Sequence, residues 1–307
     1  MKISSRVSTA YWLINKRPGL LNRLRLYLLF RKESSRWNQT FDWSSRVRDA
    51  LACPDNGHIP RVADAGKIEN GQLIMHNGLR VHELSYDGED LRDLMMCNRG
   101  VHEPQEERFF MEVLKCLPSG STMLEFGSYW AFYSMWFYSE VADARCFCVE
   151  PASRNIRMGM DNFALNFGAS PSRVLFEQAF AGKKDVPEGV ESGIPTVSVD
   201  GFLSKHGISR LAILHADTQG HEFEVLLGAN RSLSSAAIDY VFLSTHGNEL
   251  HRLCLEELRR HGYRIMADVD LLETYSFDGL IVAQNPYLPE RPCCRLSLKG
   301  YRQEAGL

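Results

Sequence analysis

The chain has 307 residues, of which 44% are hydrophobic, 24% charged and 10% aromatic. This composition is typical of a globular protein, and it excludes a disordered, collagen-like or coiled-coil chain. No apolar run approaches the roughly 20 residues that a membrane-spanning helix needs, or the length of a secretory core. The eight cysteines form no CxxC pair, and we interpret them as free thiols. We therefore expect a cytoplasmic protein.

Positive charge is concentrated in residues 1–40, which carry nine Lys or Arg residues against one acid, whereas the whole chain has a net charge of -3. The rest of the chain is acidic, which argues against a nucleic-acid-binding face because such faces neutralise phosphates. The basic segment alternates charge with Leu, Tyr and Phe. It is predicted to contact an anionic membrane surface or a second subunit. The alternative is a helical extension that packs on the acidic body of the same chain.

Two local signals organise the region before residue 121. Extended runs on both sides of Asn77-Gly78 predict a β-hairpin within residues 68–86. A helix is predicted to begin near Pro104, with the three acids Glu103, Glu106 and Glu107 in its first turn. The predicted division of the chain is a basic helical extension (1–45), a lead-in region with the hairpin and helix (46–120), and a core (121–307).

From residue 121 apolar strands alternate with helices. Continuous apolar strands separated by helices indicate an α/β fold, in which a mostly parallel sheet carries helices on both faces. In such sheets, ligands bind beyond the carboxyl ends of the strands. The predicted strands are 122–126, 145–149, 174–180, 211–216, 239–244, 263–267 and 279–283. The predicted helices are 131–140, 153–166, 222–233 and 250–261.

Two residues at predicted strand ends suit a nucleoside. Gly127 lies in the turn after the first strand, where a glycine lets the backbone approach a ligand. Glu150 ends the second strand, and an acid there suits recognition of ribose hydroxyls. Because Tyr129 interrupts a GxGxxG pattern, a nicotinamide-dependent oxidoreductase is disfavoured.

Further polar residues follow the fourth and fifth predicted strands. His215 and Asp217 are two apart, so they share one face of a strand, and His246 follows the next strand. Their convergence at one edge of the sheet suggests a site. The alternative interpretation is that these side chains are polar only because the strands end in water there.

These segments resemble S-adenosylmethionine-dependent methyltransferases of the FkbM type, over roughly residues 100–285. The segment 125–134 (EFGSYWAFYS) is similar to the first methyltransferase motif, and 148–151 (CVEP) to the second. The most specific part is 197–203 followed by 211–222 (LAILHADTQGHE), where the family typically reads "KiDvEGaE". The resemblance implies a seven-stranded, Rossmann-like class I core that binds S-adenosylmethionine and methylates a hydroxyl of a sugar, glycan or secondary metabolite.

Three residues depart from the family pattern. Ala131 stands where a second glycine is usual, a position that governs helix–strand packing. His215 replaces the usual Lys, and Gln219 replaces the usual Glu. These two changes leave open an alternative function, that of a catalytically silent cofactor-binding or regulatory module of the same fold.

The resemblance also implies roles for individual residues. His246 is the predicted general base, with Asp217 between cofactor and acceptor and with His221 and His215 as further candidates. Our prediction contains no metal; the alternative is a divalent metal held by Asp217, Glu222 and His246. The predicted acceptor contacts are His102, Glu103, Tyr129 and Trp130. The predicted cofactor contacts are Glu125, Gly127, Ser128, Glu150, Gln178, Ala179 and Asp217.

Overall fold

We describe the fold from a computed structural model, which covers residues 43–86, 88–169, 171–187, 193–292 and 294–300. The basic segment 1–40 lies outside these residues, so its membrane or subunit contact stays a prediction. Within the described part of the chain, no helix is both long enough and apolar enough to cross a membrane.

The described residues form nine α-helices and twelve strands, numbered here in chain order. The helices are α1 Trp43–Ala52, α2 Gly88–Cys97, α3 Pro104–Leu114, α4 Phe132–Glu140, α5 Ser153–Phe167, α6 Val199–Lys205, α7 Glu222–Gly228, α8 Asn230–Ser234 and α9 Asn248–Arg260. The strands are β1 Ile68–Glu69, β2 Gln72–Ile74, β3 Arg80–His82, β4 Thr122–Phe126, β5 Arg145–Val149, β6 Val174–Glu177, β7 Phe180–Ala181, β8 Thr196–Val197, β9 Leu211–Ala216, β10 Ile238–Thr245, β11 Arg264–Val269 and β12 Gly279–Gln284.

Seven strands form the central sheet, in the order β11-β12-β10-β9-β4-β5-β6. The neighbours from β10 through β6 are parallel, whereas β12 is antiparallel to both β10 and β11. The predicted seven-stranded, mostly parallel sheet is therefore confirmed. Its strand order reverses between β4 and β9, which places a ligand crevice beyond their carboxyl ends.

Two predicted elements are interrupted in the structure. The strand predicted over 174–180 ends at Glu177, and Phe180–Ala181 forms β7, which pairs with β8 away from the main sheet. The helix predicted over 222–233 divides at Ala229 into α7 and α8. The Asp200 carboxylate accepts hydrogen bonds from the backbone N–H groups of Arg231 and Ser232, which gives α8 an N-terminal cap of its own.

The predicted hairpin is present, and it joins the main core. Leu73 in β2 pairs with Val81 in β3, and the turn between the two strands contains Asn77-Gly78. Leu73 and Val81 pack in the same buried cluster as Phe110 of α3 and Phe242 of β10. The lead-in region thus covers one face of the sheet. Residues on both sides of the predicted boundary near residue 120 belong to the same core.

Side-chain alternation along the strands places helices on both faces of the sheet. In β4, Met123 belongs to the cluster under α3 and α4, whereas Leu124 belongs to the cluster under α6, α7 and α9. Both side chains are fully buried. Because helices cover both faces of the sheet, a ligand site is expected among the residues that follow the strand ends.

Candidate active site

The turn after β4 touches the end of β9. Gly127 has a φ of +74°, and a Cβ atom on it would lie 1.8 Å from the backbone oxygen of Asp217. The Asp217 N–H donates to the Phe126 carbonyl at 3.0 Å. Only glycine fits here, because any side chain would collide with the backbone of Asp217. Sequence reasoning predicted close approach to a ligand, and the structure shows close approach to the neighbouring strand end.

Glu150 ties the same turn to the end of β5. Its Oε2 accepts from the backbone N–H of Tyr129 at 3.2 Å, and its Oε1 accepts from Ala152 N at 2.9 Å and Asn155 Nδ2 at 3.1 Å. Burial raises the pKa of Glu150, and these donors oppose that effect. The structure therefore brings Gly127, Glu150 and Asp217 together at the carboxyl edge of the sheet.

An acidic cluster surrounds His246 next to this turn. The Nδ1 atom of His246 lies 3.1 Å from Glu222 Oε1, and its Nε2 atom lies 3.4 Å from Asp217 Oδ1 and 3.3 Å from Asp278 Oδ1. Glu222 is fully buried, whereas 31% of the Asp217 side chain is exposed. The Gln219 amide donates to Asp217 Oδ1 at 3.0 Å, so the residue that replaces the family's Glu is a neutral hydrogen-bond donor to the cluster.

The electrostatics of this cluster bear on the predicted general base. Burial alone would lower the pKa of His246, but Asp278, Glu222 and Asp217 outweigh it and raise the pKa to about 10. Burial raises the pKa of Asp217, and Asp278 adds to the effect while His246 opposes it. In this arrangement the imidazole carries a proton at neutral pH. It serves as a base only after that proton has been displaced.

A second polar network is buried beneath the site. His215 Nε2 lies 2.7 Å from Glu106 Oε1 of α3, and Glu106 Oε2 accepts from Ser244 Oγ at 2.9 Å. Glu125 accepts from the Ser134 backbone N–H at 3.2 Å and also from its hydroxyl. Burial raises the pKa of Glu106 and of Glu125 and lowers that of His215, so all three favour their neutral forms. Glu125 is only 3% exposed, which places it below the edge where a cofactor amino group would lie.

Three of the predicted acceptor contacts lie in the core. His102 and Trp130 are 1% and 4% exposed, and His102 Nδ1 lies 2.6 Å from Glu107 Oε1. Glu103 is 6% exposed and accepts from the Tyr133 hydroxyl at 3.0 Å. The structure therefore places these residues where they support the fold under the site, not on a surface that an acceptor reaches.

The remaining predicted residues are scattered around the edge. Ser128 is 2% exposed, and its hydroxyl has no hydrogen-bond partner. Gln178 is exposed and donates to the Pro151 carbonyl at 2.8 Å, whereas Ala179 is fully buried in the core. His221 is exposed immediately before α7, and the ion pairs of the acidic cluster do not include it. Tyr129 is half-buried in the turn itself.

The structure gives a second reason why glycine is usual at position 131. It has a φ of +62°, in the left-handed region that favours glycine, immediately before α4. It is also fully buried against Gly159, whose own Cβ would lie 3.2 Å from that of Ala131. Backbone conformation, as well as helix–strand packing, therefore accounts for a preference for glycine at this position.

Sequence reasoning missed Asp278 and Glu106. Asp278 precedes β12, and because β12 is antiparallel its first residues lie at the same edge as the ends of the parallel strands. Thr245 pairs with Gly279, so His246 and Asp278 follow directly from the register. Recognising from the sequence that the last strand is antiparallel would have placed Asp278 at this edge. Glu106 gave no such signal, since its contact with His215 depends on how α3 packs on the sheet.

A small cavity of about 10 Å³ lies beside the cluster, which is room for about one water molecule. The cavity is lined by Glu103, Gln105, Glu106, Thr274, Ser276, Asp278 and Leu280.

Part of the chain matches a known family of proteins. Residues 156–265 match the family described as "Methyltransferase FkbM domain". The resemblance noted from the sequence motifs is thereby confirmed, and the cofactor expected for this methyltransferase family is S-adenosylmethionine. No curated protein sequence matches the chain.

Three solved structures are similar to part of the chain. The precorrin-6y C5,15-methyltransferase of Geobacter metallireducens is 15% identical, with a TM-score of 0.39, over 56% of this chain and 85% of its own. The fibrillarin of Aeropyrum pernix, in complex with S-adenosyl-L-methionine, is 16% identical, with a TM-score of 0.37, over 54% and 67%. TrmK of M. capricolum, in complex with S-adenosyl-homocysteine, is 12% identical, with a TM-score of 0.38, over 59% and 71%.

Proposed function

We propose that this chain, whose residues 156–265 match the methyltransferase FkbM domain, transfers a methyl group from S-adenosylmethionine to a hydroxyl of a glycan or secondary metabolite. The observation that carries the proposal is the position of the acidic cluster. Asp217 adjoins the Gly127 turn through the backbone, so a donor bound at the turn and an acceptor beside the cluster would be neighbours.

The edge of the sheet suits the donor. Glu150 follows β5 directly and lies next to the Gly127 turn, where a carboxylate accepts hydrogen bonds from ribose hydroxyls. The buried Ser128 hydroxyl is unpaired in the same turn, so it is free to bond the methionine part of the donor. S-adenosylmethionine, when bound, supplies an electrophilic methyl group.

The cluster suits a hydroxyl acceptor. A hydroxyl loses its proton as its oxygen becomes methylated, so a nearby group has to take up that proton. Asp217 is the most exposed carboxylate around His246, and it is the group in this cluster best placed to meet the acceptor. Asp278 and Glu222 hold His246 in place and stabilise positive charge on the ring.

Binding and transfer are tested separately. Calorimetric titration of the full chain with S-adenosylhomocysteine measures binding, and mass spectrometry after incubation with labelled cofactor and a panel of glycans and metabolites measures transfer. Asp217→Asn is expected to lower transfer at least about 100-fold, by more than it changes cofactor affinity, because Asp217 lies between the donor and the acceptor. Asp143→Asn is the control, because Asp143 is 73% exposed and precedes β5, at the opposite edge of the sheet.

The outcomes distinguish the competing functions. No binding by folded protein would contradict the methyltransferase assignment as a whole. Binding without transfer to any member of the panel would favour a silent cofactor-binding or regulatory module. Methylation of amines but not of hydroxyls would contradict the proposed acceptor class alone.

A further inference from the structure

Three side chains at the proposed site have the chemistry of a metal site. Asp217, Glu222 and His246 each offer one ligand atom, and these atoms lie within 4.8 Å of one another. They come from the end of β9, the start of α7 and the end of β10. A mixture of carboxylate oxygens and one imidazole nitrogen suits divalent cations of the first transition row.

Glu222 provides a second, independent observation. The residue is fully buried, and its Oε1 accepts from Thr218 N at 3.0 Å and Gly220 N at 3.1 Å. Its Oε2 is equally buried and has no hydrogen-bond partner. An unpaired carboxylate oxygen in the interior is costly, and a bound cation would remove that cost.

The surroundings of His246 also suit a bound cation. Its buried Nε2 has no hydrogen-bond partner, and it faces Asp217 Oδ1 at 3.4 Å and Asp278 Oδ1 at 3.3 Å. These separations are long for hydrogen bonds but match the spacing of about 3.0–3.4 Å between ligand atoms of one cation. Glu222 Oε1 lies 3.1 Å from Nδ1, so the Glu222 carboxylate borders the same ring.

We propose that Asp217, Glu222 and His246, with Asp278 beside them, bind one divalent cation such as Mn²⁺. This site is the alternative that the sequence analysis kept beside its prediction of no metal. The two positive charges of the cation would offset the negative charge of the carboxylates around His246. If the proposed function holds, the cation lies where the acceptor hydroxyl approaches and makes its proton easier to remove. Cation binding itself does not depend on that function.

Electron paramagnetic resonance of Mn²⁺ tests the site on the full chain, without cofactor or acceptor. Asp217→Asn and Asp278→Asn each replace a carboxylate by an amide of the same shape. Asp268→Asn is the matched control, because Asp268 Oδ1 also pairs with a histidine, 2.9 Å from His251 Nε2. Circular dichroism shows that each variant is folded before titration.

We expect the wild-type chain to bind one Mn²⁺ ion, with a dissociation constant below about 1 mM. Asp217→Asn and Asp278→Asn should each weaken binding at least about ten-fold, and Asp268→Asn should leave it unchanged. Folded wild-type protein that binds no Mn²⁺ in this range would overturn the proposal. Equal affinity in the wild type and both site variants would also overturn it. Mn²⁺ binding without S-adenosylhomocysteine binding would support the metal site and contradict only the proposed function.

Discussion

Glu106 Oε1 lies 2.7 Å from His215 Nε2, and this buried contact joins α3 to the strand that ends at the site. The other oxygen of Glu106 accepts from Ser244 Oγ at 2.9 Å, so one carboxyl group links the neighbouring strands β9 and β10. His215 and Ser244 each stand two residues before a member of the acidic cluster, Asp217 and His246. Glu106 is therefore a positioning residue for the cluster.

Removal of this link should destabilise the fold. Glu106→Ala leaves His215 and Ser244 without their buried partner, and we expect a loss of about 3 kcal/mol in the free energy of unfolding. Glu106→Gln keeps a donor and an acceptor, and should cost less than about 1 kcal/mol. Urea denaturation measures both. Glu112→Ala, on the half-buried side of the same helix, is the control; equal losses in the two Glu106 variants would contradict the link.

The turn at Gly127 should tolerate no side chain. Gly127→Ala places a methyl group on the Asp217 carbonyl, so we expect a loss of at least about 3 kcal/mol in unfolding free energy. Gly120 has a similar φ of +80°, but a Cβ atom added to it would meet no other atom within 4 Å. Gly120→Ala should therefore cost only about 1 kcal/mol, from backbone strain alone. Thermal unfolding of both variants tests the difference, and similar losses would show that strain, not collision, controls this turn.

Glu125 should make stability depend on pH. Burial raises its pKa to about 7, although His215 and Ser134 oppose the shift. The folded state therefore binds more protons than the unfolded state between about pH 4.5 and 7, and stability falls as pH rises through that window. The Gln side chain of Glu125→Gln does not titrate. Relative to this variant, the free energy of unfolding of the wild type should fall by up to about 3 kcal/mol between pH 5 and 8.

Urea denaturation of the wild type and Glu125→Gln at both pH values measures this loss. Glu106 and His215 are present in both proteins, so the difference between the two curves reports residue 125 together with its coupling to these two neighbours. Parallel pH profiles would mean that Glu125 titrates normally in the folded state.

The strands were predictable because their signal is local. The bounds of β4, β5 and β9 agree with the sequence prediction, since each is a short, mostly apolar run. The strand predicted over 174–180 included Glu177-Gln178, the polar pair at which the chain leaves the sheet, and so joined β6 to the separate strand β7. The break at Ala229 depends on Asp200, which is distant in sequence.

The site was predictable only in part, for the same reason. Gly127, Glu150 and Asp217 follow parallel strands, so the rule for strand ends found them. Asp278 lies before an antiparallel strand and Glu106 lies on a helix, and their distances to His246 and His215 arise from tertiary packing. His102 and Glu103, in the turn before α3, were predicted to contact the acceptor, yet the fold buries both side chains.

The central claim is that the carboxyl edge at Gly127, Glu150 and Asp217 binds an adenosine-bearing donor. Calorimetric titration with S-adenosylhomocysteine tests it most directly, on the wild type and on Glu150→Gln. We predict saturable binding of one ligand per wild-type chain, weakened at least about ten-fold in Glu150→Gln. No saturable binding by the folded wild type, or equal affinity in both proteins, would contradict the claim.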